Sequence, residues 1–171
     1  AVAAMESQVM GTDAWSEAQV LDELPRPDRT WWAAFEVADT RKRTVNVGEA
    51  KLVGYAGGWI NDGQVQLLKV ASDPAYRRQG IAQELLARIA LDARDLGAKE
   101  MTLEVRASNT GAHAFYERLG LKDIGIRPRY YSDGENACIY EGPLPLSEHD
   151  VAGMELRLNA AAAHAGEAAG D

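Results

Sequence analysis

The sequence predicts an α/β fold, a mixed and mostly antiparallel central sheet with helices packed against it. Three observations carry that prediction. Apolar residues alternate over 31–39 and 101–107, the period of a strand. Ile81, Leu85, Leu86, Ile89, Ala93 and Leu96 recur at helical spacing. Asn61-Asp62-Gly63 has the chemistry of a turn joining two antiparallel strands.

In order along the chain, Val2, Met5 and Val9 lie at helical spacing and Gly11 closes the run. A second amphipathic helix is expected in Asp13–Leu24, stopped by Pro25 and Pro27. Strands follow over 31–39, 51–60 and 64–72, with a polar, basic insertion over 40–50. A turn-rich loop over 73–80 leads into the long helix, for which Gly97 is the C-terminal stop. Next come a strand over 101–107 and a short helix from Asn109 to Leu119. Two closing strands, 121–127 and 136–144, flank a tyrosine-bearing loop. From about Ser147 the chain turns Ala/Gly-rich, with five acids against one base. The expected division is a folded unit over 1–146 and a disordered or partly helical tail over 147–171.

Composition narrows the function. The 171 residues carry a net charge of −8, which argues against electrostatic capture of nucleic acid. One cysteine, Cys138, cannot form an internal disulfide and reads as a small buried hydrophobe in a cytoplasmic protein. No apolar run approaches the ~20 residues that cross a bilayer, and no signal peptide is read. His113, His149 and His164 lack ligand spacing, so no metal site is expected.

Three segments carry chemistry. Arg77-Arg78-Gln79-Gly80-Ile81-Ala82 joins a strand to a helix. Free amides at a helix start bind anions, Gly80 permits close approach, and the arginines add charge-assisted contacts. Alone, the segment reads equally as an ordinary helix start behind solvated arginines. On the strand over 101–107, Met101, Leu103 and Val105 share one face and Glu104 points to the other. Alone, Glu104 would be a solvated surface carboxylate. Asn109, Ala112 and Tyr116 lie at i, i+3 and i+7, one stripe of one helix.

Together these motifs resemble the GNAT superfamily of N-acetyltransferases, and within it the ribosomal-protein alanine N-acetyltransferases of bacteria (the RimI type). The block over 70–86 fits the superfamily's acetyl-CoA motif, and LEVRASN, AFYERLGL and RPRYY fit the RimI-type group. Asp13-Ala14-Trp15-Ser16 resembles that group's Pro-Trp-Ser loop, with Ala14 in place of proline. The family begins with a strand before the first helix, which this sequence largely lacks, and the tail has no counterpart in shorter relatives.

The resemblance implies a GNAT fold with a splayed V between two central strands. It implies acetyl-CoA as co-substrate, held by Val70, Ala71 and Ser72 along the pantetheine and by Arg77, Arg78, Gln79, Gly80, Ile81, Ala82 and Gln83 at the pyrophosphate, with Asn109 on the pantetheine arm. It makes Glu104 the candidate base and Tyr116 the candidate acid of a direct transfer. It places Trp15, Tyr130 and Tyr131 at the acceptor, a protein N-terminus, that of an alanine-initiated ribosomal protein. Trp15 reads equally as core packing of the first helices. A lysine or small-molecule amine as acceptor and a non-catalytic acetyl-CoA-binding module are the alternatives. A monomer without nucleic-acid or membrane partners is expected.

Overall fold

The structure, a computed structural model, describes residues 1–37 and 50–146. The expected tail, and the 40–50 insertion apart from Ala50, lie outside the described residues. The elements are α1 (Val2–Val9), α2 (Glu17–Glu23), β1 (Arg29–Val37), β2 (Ala50–Asn61), β3 (Gln64–Ser72), α3 (Ile81–Asp95), β4 (Glu100–Arg106), α4 (Thr110–Arg118), β5 (Lys122–Arg127) and β6 (Ala137–Pro143). They form one six-stranded sheet in the order β1-β2-β3-β4-β6-β5. The β3–β4 pair is parallel and the other four are antiparallel. The mixed, mostly antiparallel sheet flanked by helices is therefore as the sequence predicts.

Local chemistry sets the boundaries. The β2–β3 hairpin turns on Asp62 and Gly63, at φ 49° and 78°, the left-handed pair that a two-residue turn requires. The second helix begins later than its apolar pattern. The Ser16 hydroxyl accepts the Gln19 amide while the Gln19 side chain accepts the Ser16 amide, a reciprocal cap that starts the helix at Glu17. Asp13–Trp15 are thereby left outside the helix.

The sheet buries both faces. On one, α3 sets Leu85, Leu86 and Ile89, each at most 3% exposed, against Val65, Leu67, Met101 and Leu103. Each such side chain contributes about 1.5–3 kcal/mol by leaving water. On the other, α1 brings Met5 onto Tyr55 and Ala71. Gly57 is necessary there, because a Cβ would lie 2.2 Å from the Trp31 ring. Cys138 is buried and unpaired in the first of these cores.

One irregularity positions the site. β3 pairs with β2 along its length, with Leu68 as an extra residue in a bulge opposite Gly57/Gly58. It pairs with β4 over three positions only, Gln64–Gln66 against Glu100–Thr102. β4 meanwhile pairs with β6 from Glu100 to Arg106. Beyond Gln66 and Thr102 the two central strands part, and the β3 edge from Leu67 to Ser72 takes no ladder from β4. This is the V that the resemblance implies.

Candidate active site

The anion-binding end lies beside that open edge. Gly80 precedes α3 at φ +84°, and no side chain caps the helix. The first backbone bond of α3 runs from Glu84 N to Gly80 O at 3.0 Å, so the amides of Ile81 and Ala82 face outward from the helix start. Arg77, Arg78 and Gln79 are exposed around them. Arg78 itself has φ 59°, unusual for a residue with a side chain. The helix start is tied to the sheet at Gly54, where a Cβ would come within 2.7 Å of Ile81 Cγ2. Val70 and Ser72 are half-buried and Ala71 is buried. Unpaired strand edge and uncapped amides together suit an extended amide chain ending in phosphates.

Glu104 stands at the fork. It is two residues beyond Thr102, the last β4 residue paired with β3. Met101, Leu103 and Val105 are buried on the α3 side, so Glu104 leaves the opposite face. Its carboxylate takes Gln66 Nε2 at 3.1 Å and Arg127 Nε at 3.1 Å. The carboxylate side chain is 10% exposed while that of Arg127 is 56% exposed. The arginine can therefore swing into water and free an oxygen.

Tyr116 lies on the other side, in the core under α4, packed on Phe115 at 5.3 Å and Tyr140 at 6.0 Å between ring centroids. Burial lifts its phenol well above the ordinary value, with the Tyr131 phenol adding to the rise. A thiolate of ordinary pKa ~8.5 is thus a weaker acceptor for this proton than for that of an ordinary phenol at ~10. Tyr131 acts electrostatically on Tyr116 and responds to Glu104. Its own phenol is pushed up to about 12, chiefly by burial, and it feels the charges of Tyr130, Arg106, Asp13 and Glu104. Tyr130 is 49% exposed and stands edge-on to Tyr131 at 5.2 Å. Asn109 is the N-cap of α4, its Oδ1 taking the Ala112 amide at 3.2 Å, which leaves its NH₂ group for other partners.

Trp15 sits in the α1–α2 turn. Its amide donates to Glu6 Oε2 at 2.8 Å, its ring lies 5.1 Å from Lys69 Nζ, and it meets Trp31 edge-on at 6.1 Å. It is half-buried among these partners. Two groups of this neighbourhood escaped the sequence reading. Glu6 is fully buried on α1 and is held by the Tyr55 hydroxyl, the Trp15 amide and Lys69. Arg106 binds carboxylates from two distant loops. A helical apolar pattern with one glutamate inside its stripe is the only signal for Glu6. Nothing in the spacing marks Arg106. His113, also unassigned, bonds the Arg106 carbonyl at 3.1 Å and the Tyr140 hydroxyl at 2.9 Å. Among the described residues, no group of three His, Cys, Asp or Glu could hold a metal. No described helix is long and apolar enough to cross a membrane.

A strand fork, an uncapped helix start beside it and a carboxylate at the fork define an acyl-group transferase of the N-acetyltransferase fold. The chain belongs to the acetyltransferase (GNAT) family, whose model matches residues 7–121. It is 36% identical over 99 residues to the ribosomal protein bS18-alanine N-acetyltransferase of Escherichia coli (strain K12), covering 56% of this chain and 67% of that protein. It is 41% identical over 86 residues to an N-alpha-acetyltransferase of Saccharolobus solfataricus, covering 50% of each. Across three of the strongest curated matches the chain spans 33%, 61% and 67% of the relative's length. The crystal structure of the E. coli ribosomal-protein-S18-alanine N-acetyltransferase superposes with a TM-score of 0.66 at 27% identity, covering 85% of this chain and 86% of that one.

Proposed function

We propose that this chain, through its unit over 1–146, acetylates the N-terminal α-amine of a cytoplasmic protein, an alanine-initiated ribosomal protein, with acetyl-CoA as donor. The fork carries this reading: the β3 edge loses its β4 partner at the residue pair next to Glu104. The names of the E. coli and Saccharolobus relatives support it. Acetyl-CoA supplies the acetyl group as a thioester. Val70, Ala71 and Ser72 would pair with the pantetheine amides, and the amides of 78–83 with Arg77 and Arg78 would take the pyrophosphate. The Asn109 amide would steady the arm between them.

The acceptor must arrive as a free amine. An α-amine titrates near ~8 and a lysine near ~10.4, so a lysine costs about 3 kcal/mol more to deprotonate. Glu104, directly or through a water, accepts that proton at its carboxylate once Arg127 turns aside. The Tyr116 phenol keeps its proton throughout the neutral range and delivers it to the departing sulfur. Trp15, Tyr130 and Tyr131 wall the acceptor and exclude water.

The test is a peptide panel read by thiol release and mass. It holds Ala-initiated peptides, lysine peptides with blocked N-termini, a polyamine and an aminoglycoside. Acetyl groups on free N-terminal alanine are expected. Transfer confined to lysine or to the small amines overturns the acceptor, and thiol release with none of them overturns the enzyme.

A further inference from the structure

We propose that Arg106 is the positioning residue of the acceptor side, a latch that locks the α1–α2 turn to the β5–β6 loop. The inference rests on the acceptor reading above and adds to it the element that holds the acceptor walls in place.

Arg106 ends β4 on the same face as Glu104, with its side chain 21% exposed. Its Nε donates to Asp13 Oδ2 at 2.7 Å, across 93 residues of sequence. Its Nη1 donates to Asp133 Oδ2 at 2.8 Å and Glu135 Oε2 at 2.6 Å. The guanidinium carbon lies 4.0 Å from the centroid of the Tyr131 ring. One planar cation thus holds a carboxylate two residues from Trp15 and two carboxylates just past Tyr130-Tyr131, and stacks on one of those tyrosines. A single exposed ion pair contributes little. A fork of fixed donors answering three carboxylates and a ring is different, because its geometry defines theirs and lysine cannot copy it.

The latch is itself held. Its carbonyl takes His113 Nε2 at 3.1 Å, and Glu135 turns its second oxygen to the Ser108 amide at 2.8 Å. Tyr131 and Gly134 complete the loop with backbone bonds, Tyr131 N to Glu135 O at 3.1 Å and Gly134 N to Tyr131 O at 2.9 Å. Without the guanidinium, Asp13, Asp133 and Glu135 would repel one another and the two walls would part. None of these contacts reaches the α3 start, so the pyrophosphate end of the donor site is insulated, and the Asn109 backbone amide is bonded to the Arg106 carbonyl at 2.9 Å, which Arg106→Gln retains.

Hydrogen exchange on the free protein reads the latch without any substrate. In Arg106→Gln, exchange at the Tyr131 and Gly134 amides should rise about tenfold or more while Leu85–Ala90 of α3 stay protected. In kinetics, KM for the acceptor peptide should rise about tenfold with kcat within about threefold, and Arg106→Lys should fall between. Acetyl-CoA affinity should not change. Unchanged exchange overturns the latch, as does faster exchange with unchanged acceptor KM. If Arg106→Gln also exposes α3, Asp13→Asn and Glu135→Gln each remove one arm, and no effect of either on the same readouts overturns it. If the wild-type chain acetylates no peptide, the function falls but the exchange experiment still decides the latch.

Discussion

Replacing Lys69 by Met tests whether the buried charge of Glu6 is held by a cation. Glu6 is 0% exposed, and its partners are the Tyr55 hydroxyl, the Trp15 amide at 2.8 Å and Lys69 Nζ at 3.3 Å. Removing one partner of a buried ion pair costs about 3–5 kcal/mol, since the other charge stays buried and uncompensated. Two neutral donors remain, which argues for the lower end, about 3 kcal/mol. Lys69 also gives up its 2.7 Å bond to the Asp13 carbonyl. In a domain of this size about 3 kcal/mol lowers Tm by about 6–12 °C. Urea unfolding followed by tryptophan fluorescence measures it directly. The double variant Glu6→Gln/Lys69→Met is the control. Its amide oxygen can still accept the Trp15 amide and its NH₂ group can donate to the Tyr55 hydroxyl, with no charge left to bury, so at least half the loss should return, about 1.5 kcal/mol. A Lys69→Met protein within about 0.5 kcal/mol of wild type would refute the argument, as would additive damage in the double variant.

Three further outcomes are expected. Glu104→Gln should lower kcat by about 10²–10⁴ and Tyr116→Phe by about 10-fold or more, with acetyl-CoA binding by calorimetry unaltered; an unchanged kcat in both removes their roles. Gly80→Ala places a side chain at φ +84° with nothing within 4 Å to clash, so the cost is backbone strain alone. About 1 kcal/mol of such strain should raise the acetyl-CoA Kd about fivefold as the helix start relaxes; unchanged Kd and unchanged stability together would contradict the uncapped-amide reading. Asp133 is held below its ordinary value by the Glu135 amide and Arg106, and Glu135 by Ser108 and Arg106. Depressed carboxyls stabilise above their unfolded values near ~4 and lose that contribution as pH falls through the folded ones. Between about pH 5 and 2 the Tm of wild type should therefore drop more than that of Asp133→Asn/Glu135→Gln, and parallel curves would show that the loop carboxyls contribute nothing.

The sheet was legible because its causes are local. Alternation placed β1 and β4 to within two residues, the helical stripe placed α3, and Asp62-Gly63 placed the hairpin. The start of α2 was misplaced for an equally local reason. The apolar pattern runs back to Asp13, but the Ser16–Gln19 cap starts the helix four residues later, at Glu17. That small correction matters, since it releases Asp13 and Trp15 into the turn that Glu6, Lys69 and Arg106 bind. The side from which Glu104 leaves the sheet was also readable, because β4 alternates from Met101 to Arg106 between buried and half-buried residues.

The charged groups that brace Trp15 and Tyr131 were not readable, and the reason is physical. Lys69 meets Glu6 across 63 residues and Arg106 meets Asp13 across 93, and no window that reads periodicity contains both ends. Periodicity reports how a segment meets the core as a whole. It cannot report a charge on a helix whose burial is offset by a lysine on a distant strand. Glu6 fits the stripe of α1 and Arg106 fits the polar face of β4, so each passes as ordinary until the fold closes. Yet both networks converge on the same three residues, Asp13–Trp15, through the Asp13 carbonyl, the Asp13 carboxylate and the Trp15 amide. A turn fixed from two strands at once is a rigid wall rather than a lid. Under the proposed function, acceptor preference is therefore set by an opening whose Asp13–Trp15 side is shaped before the acceptor arrives, braced by Glu6, Lys69 and Arg106.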